Sequence, residues 1–349
     1  MRDVWLKQAL APPHAFGAPL GSGRLRVEPE DFLVEEDLGF TASGAGSHVL
    51  LKVRKRNANT EWVGRELART VGCRPGDVGF AGLKDRRAVT VQWFSVPLPR
   101  GKAPGELAAV RGEGFEVLEA QAHAKKLPRG ALAGNRFTLR VRDLQVEDAV
   151  LAERVSAIQG SGLPNYFGPQ RFGRDGANLR KIAADLNTIH PRERTYVFSA
   201  ARSLIFNAVL AARVTDGTWC TLEPGDVANL DARGSVFPVD ALDDSLRERT
   251  ARLDVHPTGP MWGRDDLLTR ERIKNLEERI AADYPEPCAL VIAAGMRQER
   301  RSLRLAVREL TWHREGPDVV LHFRLTKGSF ATTVLRELFD ADANSDGES

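Results

Sequence analysis

Cysteine is scarce in this chain, and the few that occur lie far apart. Cys73, Cys220 and Cys288 form no Cys-x-x-Cys pair within the 349 residues. This spacing excludes a disulfide framework and a clustered zinc site. The seven histidines are scattered without ligand-like spacing, so we expect no metal. We expect the reducing cytoplasm as the location.

Long apolar runs and nucleotide-binding loops are absent as well. No stretch approaches the about 20 apolar residues that a membrane helix needs, so we expect no membrane contact. Residues 1–10 lack the continuous apolar segment of a signal peptide. The longest clean run, Cys288 to Met296, is typical of a buried strand. No Gly-x-x-x-x-Gly-Lys-[Ser/Thr] loop or dinucleotide fingerprint occurs, and we expect no cofactor.

Basic residues are clustered although the net charge is only +3. Four lie in Lys52–Arg56, six in Gln121–Arg142, where no acid occurs, and six arginines lie in Met296–Arg314. Each stretch alone is typical of a solvated face. The three together indicate a polyanionic partner such as RNA.

Alternating apolar residues predict three strands, at His48–Arg54, Arg136–Arg142 and Val319–Leu325. On each strand, the residues that alternate with these apolar ones are partly basic. This pattern suits either a sheet that binds RNA or an ordinary sheet with one face exposed to solvent. Helical patterns follow Thr60, Ser199 and Asp265, with ends at Val71 (before Gly72), Val214 and Ala282. From Ser161 to Arg308 helix signals and Pro/Gly loops dominate, which indicates an inserted domain. The polar tail from Ala341 is expected to be disordered.

The segment from Gly79 to Phe94 carries the clearest sign of chemistry. Gly79 and Gly82 permit a tight backbone path, and Lys84, Asp85, Arg86 and Arg87 precede an apolar strand that begins at Ala88. Three neighbouring cations favour an ionised carboxylate, which can act as a nucleophile. A turn aspartate in a surface charge cluster is the alternative interpretation.

This segment resembles the active-site motif of the tRNA pseudouridine synthase D (TruD) family. Further similar motifs follow in one order along nearly the whole chain: Pro29-Glu-Asp-Phe32 with Arg26, Gly134-Asn-Arg-Phe137, Asn165-Tyr-Phe-Gly-Pro-Gln-Arg-Phe-Gly173, Ser199-Ala-Ala-Arg-Ser203 with Phe206-Asn207, and Gly328-Ser-Phe330-Ala-Thr332. Arg26 stands where the family often has lysine, and Arg87 and Thr326-Lys327 also depart from its pattern.

The resemblance implies an α/β (α+β) fold. It consists of a pseudouridine-synthase catalytic domain, with a mixed, mainly antiparallel sheet flanked by helices, over residues 1–158 and 310–349. An inserted α/β TRUD domain covers residues 159–309. The implied reaction converts a uridine of tRNA, typically U13 of the D arm, to pseudouridine. We expect a monomer that requires no protein partner.

The resemblance also implies the site residues. Asp85 corresponds to the catalytic aspartate, and Phe32, Asn135, Phe137 and Phe330 correspond to positions that line the uridine pocket, with Arg26 and Lys84 near the carboxylate. Phe137 alternates with core residues, so it is open to a packing interpretation, as are Phe32 and Phe330. Asn135 after Gly134 is also ordinary turn chemistry.

Two other functions remain open from the residues. One is a catalytically silent RNA-binding module on the same fold, which would not need Asp85. The other is a carboxylate hydrolase, which usually needs two carboxylates flanking the bond, whereas Asp85 has cations as neighbours. Attack by Asp85 on the sugar C1′ and on uracil C6 are equally compatible with the sequence.

Overall fold

The computed structural model describes residues 2–182, 184 and 188–343. The chain forms two compact units. The first unit comprises residues 1–19, 152–307 and 332–338, and the second comprises 20–151, 308–331 and 339–349. The predicted domain boundaries, 1–158 with 310–349 and 159–309, stay a prediction.

The helices and strands are numbered along the chain. The helices are α1 Arg2–Leu10, α2 Thr60–Val71, α3 Asp148–Ser161, α4 Ala177–Arg180, α5 Pro191–Thr215, α6 Asp244–Ala251, α7 Glu271–Ala282, α8 Pro285–Ala293 and α9 Ala331–Leu338. The strands are β1 Ser22–Leu25, β2 Phe32–Asp37, β3 His48–Arg56, β4 Gly79–Phe80, β5 Val89–Pro97, β6 Arg111–Gly112, β7 Phe115–His123, β8 Gly134–Arg142, β9 Leu163–Pro164, β10 Val227–Leu230, β11 Val236–Pro238, β12 Val255–Met261, β13 Glu299–Ser302, β14 Arg304–Leu305, β15 Arg308–Glu315, β16 Asp318–Thr326 and β17 Asp340–Ala343.

The second unit is built on one large sheet, with eleven strands in the described part of the chain. Its main order is β15-β16-β8-β2-β5-β3-β7-β6; β1 pairs with β8 and β17, and β4 pairs with β5. Two of its pairings, β2 with β5 and β1 with β17, are parallel, and the others in this sheet are antiparallel. The predicted α/β class with a mixed, mainly antiparallel sheet is confirmed.

The three strands predicted from alternation all belong to this sheet. In β3 the side chains of Val49, Leu51 and Val53 are fully buried and contribute to one core with α2. In β8, Phe137, Leu139 and other apolar residues are buried in the same alternating way. The period of two therefore identified both the strands and their inward faces.

Helix α2 packs into the core beneath β3 and β5. It begins at Thr60, directly after Asn59, whose side chain accepts a hydrogen bond from the Glu61 N–H. It ends before Gly72, which has the left-handed conformation (φ 74°) that glycine adopts without strain. The predicted range is confirmed, with Asn59 as the residue that caps the N-terminus.

The first unit is organised around α5. This 25-residue helix is long and apolar enough to cross a membrane by length and composition, but 78% of its most apolar window is buried. Most of its buried apolar residues belong to one hydrophobic core of the unit. The expectation that no stretch has this length was therefore wrong, because the few polar residues that interrupt the run are accommodated inside the protein.

Several local predictions in the first unit were also wrong. The run from Cys288 to Met296 belongs mainly to α8 instead of a strand. Ser199 lies inside α5, which begins at Pro191 after the capping residue His190. Helix α7 begins at Glu271, six residues after the predicted start at Asp265. An apolar run without polar interruptions has no readable period, so its length alone does not separate a helix from a strand.

The C-terminal tail was expected to be disordered from Ala341. Instead, the backbone of residues 341–343 belongs to β17, which pairs in parallel with β1. The rest of that prediction, residues 344–349, lies outside the described residues.

Candidate active site

Asp85 lies on an irregular loop, residues 81–88, between β4 and β5 of the large sheet. Polar side chains from neighbouring elements hold this loop. Gln92 Nε2 donates to the Gly82 carbonyl at 3.3 Å, and the Lys84 N–H donates to Thr60 Oγ1 at 3.1 Å. The Thr60 hydroxyl itself donates to Gln92 Oε1 at 3.1 Å. These buried contacts connect the loop to β5 and to the first residue of α2.

Lys55 supports the loop at Asp85 itself. Its side chain is fully buried on β3, and its Nζ donates to the Asp85 backbone carbonyl at 2.9 Å. Burial, opposed in part by the charges of Asp85 and Glu36, lowers the pKa of Lys55 to about 8, and Lys84 contributes to the lowering. A desolvated ammonium therefore fixes the backbone position from which the Asp85 side chain projects.

Lys84 contacts a second carboxylate instead of Asp85. Its ammonium pairs with Glu36, whose side chain is completely buried on β2. The other carboxylate oxygen of Glu36 accepts from the Trp93 N–H at 2.9 Å. Glu36 of β2 thus connects its strand to β5 through the Trp93 N–H and to the Asp85 loop through Lys84.

Arg26 forms an ion pair with Asp85. Its Nη2 lies 2.7 Å from Asp85 Oδ2, and the Asp85 side chain is 51% exposed. The Arg26 guanidinium lies 4.1 Å from the centre of the Phe32 ring, so it is held between a carboxylate and an aromatic face. The sequence suggested Lys84, Arg86 and Arg87 as the surrounding cations because they are adjacent in the chain. Arg26 is distant from Asp85 in sequence, and only the family resemblance implied that it lies near the carboxylate.

Phe32 and Phe137 continue this row of contacts into the core. Their ring centres are 6.3 Å apart in an edge-to-face arrangement, and Phe137 stacks on Phe323 at 5.1 Å. All three side chains are buried. Phe330 differs, because it is 54% exposed and makes no ring contact within the described residues. The structure therefore brings Asp85, Arg26, Phe32 and Phe137 into one contact chain and leaves Phe330 outside it.

Asn135 is buried without full hydrogen bonding. It lies on β8 between Glu36 of β2 and Leu325 of β16, and only 8% of it is exposed. Its side-chain Oδ1 has no partner among the described atoms. A buried acceptor without a donor is costly, and a ligand N–H is one way to satisfy it.

Lys55, Thr60 and Gln92 support the Asp85 loop but were not predicted from the sequence as part of the site. A signal for Lys55 was present, since it continues the inward series Val49, Leu51, Val53 by one further alternate position. A lysine at the end of an apolar face is unusual. No local pattern marks Thr60 or Gln92, because their role depends on the approach of segments distant in sequence.

Many arginines and lysines in the three basic stretches are neutralised by carboxylates of the protein itself. On the large sheet Arg54 pairs with Glu116, Arg136 with Glu309, and Arg140 with Glu315 and Asp318. In the first unit the buried pair of Arg300 and Glu277 does the same. The run of positive charge is thus an unreliable indicator of a free basic surface. Lys125 and Arg129 are exposed and have no acidic partner within the described ranges.

The second unit presents a half-exposed carboxylate on an anchored loop, an arginine that bridges it to an aromatic ring, and a buried amide with an open acceptor. This combination defines a candidate enzyme site for carboxylate chemistry on a planar, hydrogen-bonding substrate. Within the described residues, no group of three His, Cys, Asp or Glu side chains is arranged to hold a metal.

Comparison with known proteins identifies the family. The profile of the family described as tRNA pseudouridine synthase D (TruD) matches residues 15–193 and 183–338. The chain is 44% identical to the tRNA pseudouridine synthase D of Nitrosococcus oceani over 326 residues, which cover 92% of this chain and 91% of that protein. It is also 44% identical to the protein of the same name from Stutzerimonas stutzeri over 340 residues, 96% and 97% of the two chains. The chain belongs to the tRNA pseudouridine synthase D family.

A solved structure supports the fold. The putative tRNA pseudouridine synthase D from Methanosarcina mazei superimposes with a TM-score of 0.72, covering 95% of this chain and 97% of that one. At 20% identity this similarity concerns the fold alone.

Proposed function

We propose that this protein converts a uridine of tRNA to pseudouridine, with Asp85 as the nucleophile. The observation that carries the proposal is the Asp85 carboxylate, half-exposed and paired with Arg26, on a loop that Lys55, Thr60 and Gln92 hold from below. Such anchoring fixes a reactive group before the substrate arrives, which lowers the entropic part of the activation barrier. U13 of the D arm is the target that the family resemblance favours.

The reaction is an isomerisation and needs no external reactant. The N1–C1′ bond breaks, the uracil turns, and C5 bonds to C1′, while C5 loses one proton and N1 gains one. Asp85 attacks either C1′ or uracil C6 and leaves again before product release. Since uridine in folded RNA is stacked or paired, the enzyme must extrude it, which costs a few kcal/mol.

The neighbouring residues then have distinct roles. Arg26 orients the Asp85 carboxylate, and its contact with Phe32 restricts its own position. The unpartnered Asn135 Oδ1 accepts an N–H of the uracil. The exposed Phe330 ring stacks on the extruded base. Phe137 supports the pocket through its packing on Phe32 and Phe323.

The decisive experiment compares the unaltered protein with Asp85→Asn on an unmodified tRNA transcript. Asp85→Asn keeps the shape of the side chain, so we expect unchanged tRNA binding and melting temperature but no detectable turnover. Pseudouridine is mapped by chemical modification and primer extension. A matched control, Asp77→Asn, changes another exposed aspartate of the same unit and should retain full activity. Substantial pseudouridine formation by Asp85→Asn refutes the assignment.

The same comparison separates the enzyme from a silent RNA-binding module. A binding module would bind tRNA equally well with or without the Asp85 carboxylate and would give no pseudouridine in either form. We further propose that the protein acts in the cytoplasm as a monomer without a protein partner. Size-exclusion chromatography with light scattering tests the monomer, which should have the 38.4 kDa mass of one chain.

A further inference from the structure

Phe167 of the first unit is contacted by two arginines. The Cζ atoms of Arg301 and Arg171 lie 4.2 Å and 5.0 Å from the centre of its ring. Asn207 of α5 holds the Phe167 backbone from both sides, accepting from its N–H at 2.9 Å and donating to its carbonyl at 3.0 Å. The ring packs edge-to-face on Phe206 at 5.4 Å. Phe167 is therefore a fixed platform for both guanidinium groups.

Arg301 is itself positioned by neutral groups. It lies on β13, and its Nη2 donates to Asn165 Oδ1 at 2.7 Å. The amide nitrogen of Asn165 in turn donates to the Ser302 carbonyl at 2.9 Å. The buried Nε of Arg301 has no partner among the described atoms. One donor of a rigidly held guanidinium thus remains unsatisfied.

Arg171 is exposed and bonded to a hydroxyl. Its Nη1 donates to Ser199 Oγ at 2.7 Å. Ser203, one turn further along α5, lies on the same helix face and has a buried hydroxyl without a partner in the described structure. The groups that accept hydrogen bonds from Arg171 and Arg301 are therefore a hydroxyl and an amide, both without charge.

The charge balance here differs from that of two other buried arginines of the first unit. Arg213 and Arg300 each pair with a buried carboxylate, Asp226 and Glu277 respectively. Neither Arg171 nor Arg301 forms an ion pair within the described residues. Glu299, two positions before Arg301 on β13, pairs with Arg202 at 3.0 Å instead.

Burial and the charge of Arg171 lower the pKa of Arg301 to about 10. Two neighbouring cations without an anion are unfavourable for folding, and a bound anion removes that cost.

We propose that Arg171 and Arg301 form a binding site for a backbone phosphodiester of the RNA substrate. This inference rests on the proposed function, which supplies an RNA ligand. A planar guanidinium matches a phosphate geometrically and pairs with it through two hydrogen bonds. The Phe167 platform fixes both groups, so the RNA meets a preformed site. A purely structural arginine pair would have no effect on RNA affinity, and this difference makes the proposal testable.

The experiment measures the affinity of the full chain for an unmodified tRNA transcript over a range of salt concentrations. We compare Arg171→Gln, Arg301→Lys and the control Arg270→Gln, whose arginine belongs to the same unit but pairs with the exposed Asp240. Arg171→Gln should raise Kd roughly threefold to tenfold and reduce the slope of log Kd against log salt by about 0.7–0.9, one phosphate contact. In turnover assays, Arg171→Gln should raise KM and leave kcat unchanged.

Arg301→Lys keeps the charge but loses the fork of donors, so we expect a weaker Kd with a nearly unchanged salt slope. Melting temperatures show that each variant is folded. If Arg301→Lys does not fold, the exposed Arg171 alone decides the test. A Kd and slope for Arg171→Gln equal to those of Arg270→Gln overturn the proposal.

Free phosphate is the other source of the same anion chemistry. We therefore measure the melting temperatures of the unaltered protein and of Arg171→Gln in inorganic phosphate and in chloride at equal ionic strength. Stabilisation by phosphate that is lost in Arg171→Gln, without an effect on tRNA affinity, contradicts the RNA ligand. If the affinity effect is present but the unaltered protein makes no pseudouridine, the proposed function fails while this site stands.

Discussion

Lys55 is a charged side chain in the interior, directly below the loop that carries Asp85. Lowering its pKa from 10.5 to about 8 corresponds to a cost of roughly 3 kcal/mol in the folded state below pH 8. The native state retains this cost because the ammonium holds the Asp85 carbonyl. A stability cost next to the proposed nucleophile is what a functional constraint on this position would produce.

We predict that Lys55→Met is at least as stable as the unaltered protein at pH 7 but turns over tRNA at least roughly tenfold more slowly, since the Asp85 carbonyl loses its donor. The stability difference should depend on pH with a defined sign. A lysine with a lowered folded pKa destabilises fully below that pKa, and the cost disappears as pH rises from about 8 to 10.5.

Urea unfolding at pH 7 and pH 10 measures this difference. The unaltered protein should gain stability relative to Lys55→Met between the two values. Lys52→Met, on the same strand but paired with Glu35 at the partly exposed face, is the control and should keep the rate. A Lys55→Met protein with full turnover would show that this anchor is dispensable.

Phe137 and Phe330 provide a second residue-scale test, because one is buried and the other is exposed. Phe137→Ala removes a ring packed between Phe32 and Phe323, so we expect a loss of about 3–5 kcal/mol in unfolding free energy. Phe330→Ala should leave stability unchanged and lower kcat/KM roughly tenfold, through lost stacking worth about 1–3 kcal/mol. Thermal melts and steady-state kinetics of both variants test these two expectations. If folded Phe330→Ala has unchanged kinetics, Phe330 does not belong to the site.

At the scale of elements, helix α2 connects local stability to the site. Its capping residue Asn59 stabilises the helix, while the next residue, Thr60, accepts the Lys84 N–H of the Asp85 loop. Two adjacent side chains therefore have separable functions.

We predict that Asn59→Ala and Thr60→Val each destabilise the protein by about 1 kcal/mol, from a lost cap and a lost buried hydrogen bond respectively. Only Thr60→Val should also lower kcat, because it releases the loop. Comparing kcat at saturating tRNA with urea unfolding of the same preparations tests this. Equal kcat values for the two variants would mean that the loop does not need this anchor.

The elements also show which features the sequence determines locally. Strands β3, β8 and β16 were predicted because a period of two is carried by the side chains themselves, and α2 because its ends have local signals at Thr60–Glu61 and Gly72. Helix α8 was mistaken for a strand, since a uniformly apolar run has no period. The contact of Arg26 with Asp85 depends on pairing between distant segments, so no local pattern predicts it.

At the scale of the whole molecule, the distribution of charge determines how the protein meets RNA. Counting basic residues along the chain suggested three RNA-binding stretches, but carboxylates from neighbouring strands compensate many of them. Arg54 and Arg136 are exposed and paired with Glu116 and Glu309. Both acids lie outside Lys52–Arg56 and Gln121–Arg142, which explains why these two runs contain basic residues and no acid.

The compensated and uncompensated residues should therefore differ in their contribution to tRNA binding. We predict that Lys125→Gln combined with Arg129→Gln reduces the slope of log Kd against log salt by about 1.4–1.8, as expected for two lost phosphate contacts. Arg54→Gln combined with Arg136→Gln changes the net charge by the same amount but should leave the slope unchanged, because both arginines are already neutralised. Filter binding to one tRNA transcript over a series of salt concentrations distinguishes the two results. Equal reductions in both double variants would mean that net charge alone governs binding, and the paired arginines would then belong to the RNA-binding surface after all.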